Sequence, residues 1–284
     1  MATTADHELD EDDGDPPPQA TAAEAEDRRS PSGKVVYTAI VKEADEELSR
    51  STSALFWSGL AAGLSMGFSL VGEGLLRHHL PDAPWRPLVA KLGYSFGFLI
   101  VILGRQQLFT ENTLTPVLPL LQRKDGRTLA QVLRLWGVVL GANLLGALLF
   151  GFVVARTDSF DAGARGTFME LGHAAVRHGF GEALLRAVFA GWLIALLVWM
   201  LPYAESAHFF VIVAMTWLVG VGGFGHIVAG AVEAFAVAWA GERSWADVFG
   251  HFIVPVLLGN VIGGVMLVAF LNHAQVAAGK RDEA

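Results

Sequence analysis

The chain contains no cysteine. That excludes disulfides, thiolate nucleophiles and thiolate-ligated metals. Charge is also scarce: 17% of the 284 residues are Asp, Glu, Lys or Arg, against about 25% in soluble domains. No basic cluster of the kind that holds nucleic acid is present. The acidic N-terminus lacks the apolar core of a secretory signal. No G-x-x-x-x-G-K-[ST] loop occurs, so nothing points to a nucleotide. Neither H-E-x-x-H nor a carboxylate–histidine cluster occurs, so no enzyme activity, metal or cofactor is expected.

What remains is apolar. Hydrophobic residues make up 53% of the chain and the mean hydropathy is +0.45, the composition of a membrane protein. The net charge of −8 is uneven. Much of the acid lies in residues 1–27, a polar, Pro- and Ala-rich stretch expected to be disordered. Residues 28–50 are polar, and their second half suits a short surface helix. The expected organisation is therefore a tail and pre-membrane helix over 1–50, a membrane domain over 51–272 and a C-terminal tail over 273–284.

Hydropathy predicts six spans. They are Ser51–Gly72, Leu92–Leu121, Leu135–Ala155, Ala187–Ala204, Ser206–Ala240 and Val248–Leu271. Gln122–Arg134 reads as a loop, and 156–186 as a connection holding one amphipathic helix. With the N-terminus inside, eleven Lys and Arg fall on inner segments and eight on outer loops, a weak bias for that orientation. Both termini then lie on the cytoplasmic side. Trp57, Trp85, Trp136, Trp199, Trp239 and Trp245 fall near expected span ends or breaks, where indole anchors at the interface.

The fifth span is unusual. From Ser206 to Val232 it has no Asp, Glu, Lys or Arg, yet Gly220–Gly230 holds five glycines and one imidazole, His226. Each Gly weakens a helix by about 1 kcal/mol relative to Ala. A broken helix at bilayer depth needs protein or water to receive its freed backbone groups. The second span shows a matching interruption at Arg105–Asn112, followed by Pro116 and Pro119. Gly141-Ala142-Asn143 in span three and Gly259-Asn260 in span six suggest an internal repeat. Aligning Asn143 with Asn260 gives an offset of 117 residues and sets Phe109 on His226. Three spans per half invert the second half, and paired interruptions of this kind point to a transport path. Small residues beside Asn also serve close helix packing, which is the expected main role of both Asn side chains.

At these two breaks the sequence resembles the formate/nitrite transporter family. The resemblance rests on Leu108-Phe109-Thr110, on Gly223-Phe224-Gly225-His226, on Lys124–Arg127 and on Gly141–Phe150. It covers Ser51 to Leu271 and is nearest to the family's YfdC-like branch. It implies an all-α membrane protein with six transmembrane helices in two inverted three-helix repeats, helices 2 and 5 broken, aquaporin-like. It further implies a homopentamer with one pore per protomer, in a bacterial inner membrane, passing small monovalent anions or their conjugate acids. The family's constricting aromatics fall on Tyr94 and Val219. Its Glu before the His is Gly225 here, its Asn four residues later is Gly230, and its Asn in helix 4 is Gly191. Arg105 and Gln106 replace small residues ahead of Leu108.

His226 is the expected centre of the pore, holding an anion or handing it a proton, though a buried His can also simply satisfy a carbonyl. Leu108, Phe109 and Thr110 are expected to face it, with Tyr94, Val219 and Phe224 along the path. Arg105, Glu111, Glu73 and Glu233 are charges in or beside spans and must face protein, water or a counter-charge. Arg105 is expected to pair with Glu111 or Glu73. Glu233, seven residues beyond His226, shares its helix face. His78, His79, His173 and His178 lack metal-ligand spacing and are read as solvated. The rival functions are an aquaporin-like facilitator of neutral solutes, which should carry two Asn-Pro-Ala loops, and a membrane sensor, which should carry a folded soluble domain. The sequence has neither feature.

Overall fold

The structure is a computed structural model that describes residues 32–282, with side chains as far as residue 278. The expected disordered stretch 1–27 lies outside the described residues. The first helix, α1 (Gly33–Ser49), buries Tyr37, Ile40, Ala44 and Leu48 along one face, the spacing of an amphipathic surface helix. The first span is α2 (Thr52–Ser65) running through Met66 into α3 (Gly67–His79). Then follow α4 (Arg86–Leu103), a 3-10 turn at Glu111–Thr113 and α5 (Val117–Arg123). Next come α6 (Gly126–Arg156), the connecting helix α7 (Ala162–Ala175) and α8 (Phe180–Met200). The second half ends with α9 (His208–Gly222), α10 (Ile227–Ala240) and a last span α11 (Trp245–Ala278). Among the described residues six helical stretches are long and apolar enough to cross a membrane.

Several boundaries differ from the hydropathy reading: the first span runs past Gly72 to His79, and the second starts at Arg86 rather than Leu92. Residues 126–134 are helical rather than looped. Asp125 caps α6 by accepting the Thr128 N–H at 2.9 Å, and Lys124 ends α5 in the left-handed region at φ 52°. The 31 residues of α6 reach about 46 Å, beyond the roughly 30 Å hydrocarbon core, so its charged first turns stand outside the apolar window. The fourth span likewise starts early, at Phe180, and the sixth continues past Leu271 as helix to Asp282. Parts of α11, at Phe249–Ile253 and Ile262–Phe270, are wound as π-helix.

Glycine sets the core. α2 packs on α6, and α8 packs on α11. A methyl on Gly63 would overlap the backbone of Asn143, and one on Gly146 the backbone of Gly63 and Leu64. In the other half Gly191 meets the backbone of Asn260, and Gly263 that of Val188 and Trp192. The two halves therefore repeat one contact: a backbone-close crossing with an Asn beside it. Of the tryptophans, Trp57 is 65% exposed and suits an interfacial anchor. Trp136 and Trp239 instead turn inward and donate to the carbonyls of Asn112 and Leu148.

Candidate pore site

Both interruptions exist. α4 ends at Leu103 and the chain turns through Arg105, a non-glycine residue at φ 52°. α9 ends at Gly222 and is followed by Gly223, where φ is +61°. That left-handed conformation carries no penalty for Gly. α10 then restarts at Ile227 with His226 as its N-cap residue.

Each break is held by one asparagine. Asn143 accepts the Phe109 N–H at 2.9 Å and donates to the carbonyls of Gln107 at 2.9 Å and Gly59 at 2.7 Å. Asn260 accepts the Ile227 N–H at 2.8 Å and donates to the carbonyls of Gly225 and Ala187, both at 2.8 Å. Both are fully buried. Their chief role is thus to satisfy backbone groups freed by the breaks, with helix packing secondary. The match also corrects the register of the repeat. Phe109 corresponds to Ile227, and Leu108, not Phe109, corresponds to His226. The loops are offset by one residue from the Asn pair, which neither Asn-containing motif reveals.

The two breaks meet at one hydrogen bond. Thr110 Oγ1 lies 2.7 Å from His226 Nε2, both residues essentially inaccessible. His226 Nδ1 accepts the Ala229 N–H at 3.2 Å. An amide N–H can only donate, so Nδ1 is bare. The neutral ring then carries its proton on Nε2 and donates it to Thr110. A cation here would face the positive end of α10. The Phe98 ring stands edge-on to the imidazole, centroids 4.8 Å apart, with Tyr94 one turn earlier at 5.4 Å from Phe98. Phe98 is one site residue that sequence reasoning passed over; its signal was the helical spacing from Tyr94.

A cavity approaches this point from either face. One of about 250 Å³ is lined by Tyr94, Val219, Phe224, His226 and Glu233. Arg77, Lys91, Arg177 and Arg186 give it a positive wall. The other, about 910 Å³, lies beside α1 and is lined by Glu43, Glu46, Glu47 and Glu111 with Lys42, Arg50 and Arg105. Thus Tyr94, Val219, Phe224, Glu233 and His226 line one cavity. Leu108 and Phe109 are buried but line neither cavity, and Phe109 packs edge-on against Trp136 at 5.7 Å.

The charge pairings differ from expectation. Arg105 binds Glu43 of α1 at 2.6 Å rather than Glu111 or Glu73, and its side chain is 83% exposed. A positive-φ backbone throws it outward towards the pre-membrane helix. Glu73 binds Lys91 at 2.5 Å. Glu111 keeps a buried Oε1 without a hydrogen-bond partner. The three small residues at departures are filled by neighbours. A methyl at Gly191 would strike the Asn260 backbone, one at Gly230 the Phe252 ring, and one at Gly225 would press on Val256. The outer histidines are not free either: His173 meets Glu242 at 2.6 Å and His178 meets Glu182 at 2.7 Å. Among the described residues no group of three or more His, Asp or Glu is placed to hold a metal.

The sequence model of the family described as formate/nitrite transporter matches residues 34–274. The chain is 40% identical over 251 residues to the inner membrane protein YfdC of Escherichia coli (strain K12), covering 88% of this chain and 81% of that one. It is 29% identical to the formate channel BtFdhC of Bacillus thuringiensis, covering 83% and 92%. A solved pentameric formate channel with formate bound superposes with a TM-score of 0.67 at 23% identity, over 78% of this chain and 95% of that one.

Proposed function

The chain belongs to the formate/nitrite transporter family, and from that membership we propose a homopentameric channel or transporter for small monovalent anions or their conjugate acids. Each protomer carries its own path through an inner membrane, with both termini cytoplasmic. The observation that carries the reading is the 2.7 Å contact between Thr110 and His226. It ties the two interrupted spans together between two cavities that open on opposite faces. In that path the small cavity is the outer vestibule and the cavity beside α1 the inner one. Tyr94, Val219 and Phe224 narrow the outer approach, and Phe98, Thr110 and His226 close it.

The solute meets an apolar barrier with one pair of polar atoms. A hydrated anion cannot shed its water there at low cost. The Thr110 hydroxyl and the imidazole N–H can replace part of that water as the solute passes. Proteoliposomes holding the wild-type chain are expected to take up formate or nitrite faster than empty liposomes, at two pH values. His226→Ala, assembled to the same size, is expected to change rate or selectivity. Equal uptake by both proteins across the anion panel overturns the assignment of the site.

A further inference from the structure

The last span carries a contact that the site described so far does not use. Thr113 closes the 3-10 turn that follows the first break, and it is fully buried. Its hydroxyl donates to the Thr110 carbonyl at 2.7 Å, a local bond that pins the turn to its own start. Thr110 is the residue whose Oγ1 meets His226. Thr113 in turn is seated on Gly264 of α11: a methyl there would fall on the Thr113 hydroxyl oxygen and press on its Cβ. The neighbouring Gly263 lies backbone-close against Val188 and Trp192 of α8. α11 is thus clamped to α8 at this level, so a residue larger than Gly at 264 displaces Thr113 rather than the helix.

α11 therefore addresses both breaks from adjacent turns. Asn260 accepts the Ile227 N–H directly behind His226. Gly264 follows four residues later, where helical residues are neighbours, and seats the turn behind Thr110. Between these two positions the winding changes, and Ile262–Phe270 is π-helix, a rare form that recurs at functional sites. The repeat does not impose this arrangement. Aligning Asn260 with Asn143 sets Gly264 on Ala147, and the loop register that sets His226 on Leu108 places Ala231 opposite Thr113. Both alanines are fully buried. The second break thus has neither the hydroxyl nor the glycine that receives it. There the ring of His226 is held directly, by the Ala229 N–H.

We propose that Thr113 and Gly264 are positioning residues for the constriction, through which the last span sets the distance between Thr110 and His226 and with it the choice among anions. The proposal rests on the transport reading above. Neither residue touches the solute. Hydrogen bonds to nitrogen span roughly 2.7–3.2 Å between heavy atoms. A shift of the turn by about 0.5 Å therefore takes Thr110 from the close end of that range to the far end. Close-packed interiors transmit such a shift rather than absorb it. A longer gap leaves the imidazole N–H open to water, and the two polar atoms no longer act on the solute as one site.

The test uses the full chain in proteoliposomes, with formate and acetate as probes, and nitrogen NMR of isotope-labelled histidine rings. The His226 signals are assigned by their loss in His226→Gln. Thr113→Val keeps the shape of the side chain and removes the hydroxyl. It is expected to shift the His226 Nε2 signal and to change the formate-to-acetate uptake ratio severalfold. Thr113→Ser keeps the hydroxyl and is expected to return both readouts to wild type. Gly264→Ala displaces Thr113 and is expected to move both at least as far as Thr113→Val; where it does not assemble, the Val and Ser variants decide. Ala147→Gly loosens the other half at the matching position. It is expected to lower the unfolding temperature while leaving both readouts in place. An unchanged ratio or an unchanged Nε2 signal in Thr113→Val overturns the assignment. So does a Thr113→Ser variant no nearer to wild type than Thr113→Val, or an equal change in Ala147→Gly. Should wild type carry neither anion faster than empty liposomes, the transport reading fails, while the Nε2 signal still decides whether Thr113 and Gly264 hold Thr110 at His226.

Discussion

Asn143 and Asn260 each satisfy three backbone groups that a broken helix would leave bare. A buried donor or acceptor left unpaired costs about 1–3 kcal/mol. Asn143→Ala and Asn260→Ala are therefore each expected to destabilise the fold by several kcal/mol, and by similar amounts. Thermal unfolding of the purified protein checks both, and a near-neutral effect at either position contradicts the bracing role. Thr110→Val keeps the volume of the side chain and removes the acceptor of the imidazole N–H. Its expected cost is smaller, about 1–3 kcal/mol for one orphaned donor, with a change in anion uptake that the unfolding shift does not explain. At this scale the position of His226 at a helix break was legible from sequence, because the glycines around it mark the interruption. The pairing of Arg105 was not. Its direction depends on a positive-φ turn, and its partner Glu43 lies on a helix outside the spans. The role of the two Asn side chains was half legible: motif and spacing pointed to the repeat, but a side chain's acceptor is fixed by loop geometry that no local pattern encodes.

The pre-membrane helix α1 shows which contacts matter at the scale of an element. Arg105–Glu43 and Arg123–Asp45 are exposed pairs, worth little in water. By contrast, Arg134 donates to the carbonyls of Leu48 and Arg50 at the C-terminal end of α1, at 2.8 and 3.0 Å. Glu47 accepts from Gln107 Nε2 and Thr115 Oγ1, both at 2.8 Å. Arg105→Ala is expected to change stability by less than about 1 kcal/mol. Arg134→Ala is expected to loosen α1 measurably, read as faster amide exchange over Gly33–Ser49. Burial pushes the Glu47 carboxyl up, against the pull of its hydrogen bonds from Gln107 and Thr115. A raised acid binds its proton more tightly when α1 is docked. Its contribution to docking is then complete below the ordinary carboxyl value of 4.5 and is lost as pH rises through the docked value. Exchange over α1 should accordingly quicken with rising pH beyond the intrinsic rate, and Glu47→Gln should flatten that excess. A short surface helix was expected over the second half of residues 28–50, and the helix starts earlier, at Gly33. The start of α6 was not legible in the sequence, because hydropathy discounts the charged turns that hold α1 in place.

Across the whole molecule the two halves repeat their backbone contacts but not their charges. The cavity beyond His226 has Arg77, Lys91, Arg177 and Arg186 on its wall. The cavity beside α1 has Glu43, Glu46, Glu47 and Glu111. The inverted repeat explains the shared frame: Gly63 and Asn143 in one half, Gly191 and Asn260 in the other. Side chains at the mouths lie outside that frame and are free to diverge, so the polarity of the path was invisible to any repeat-based reading. A positive vestibule raises the local concentration of anions and their arrival rate, and salt screens the effect. Arg177 contacts His178 and is paired with no carboxylate in the described residues, so Arg177→Gln removes charge without orphaning an acid. Its expected effect is a severalfold loss of uptake rate from the outer side at low ionic strength, shrinking towards wild type as salt is raised. Neutralising Glu46 on the opposite mouth should leave that outer salt dependence in place. Initial rates from each side at two ionic strengths separate these outcomes. If Arg177→Gln were equally slow at both, the loss would lie in the shape of the vestibule rather than in its field.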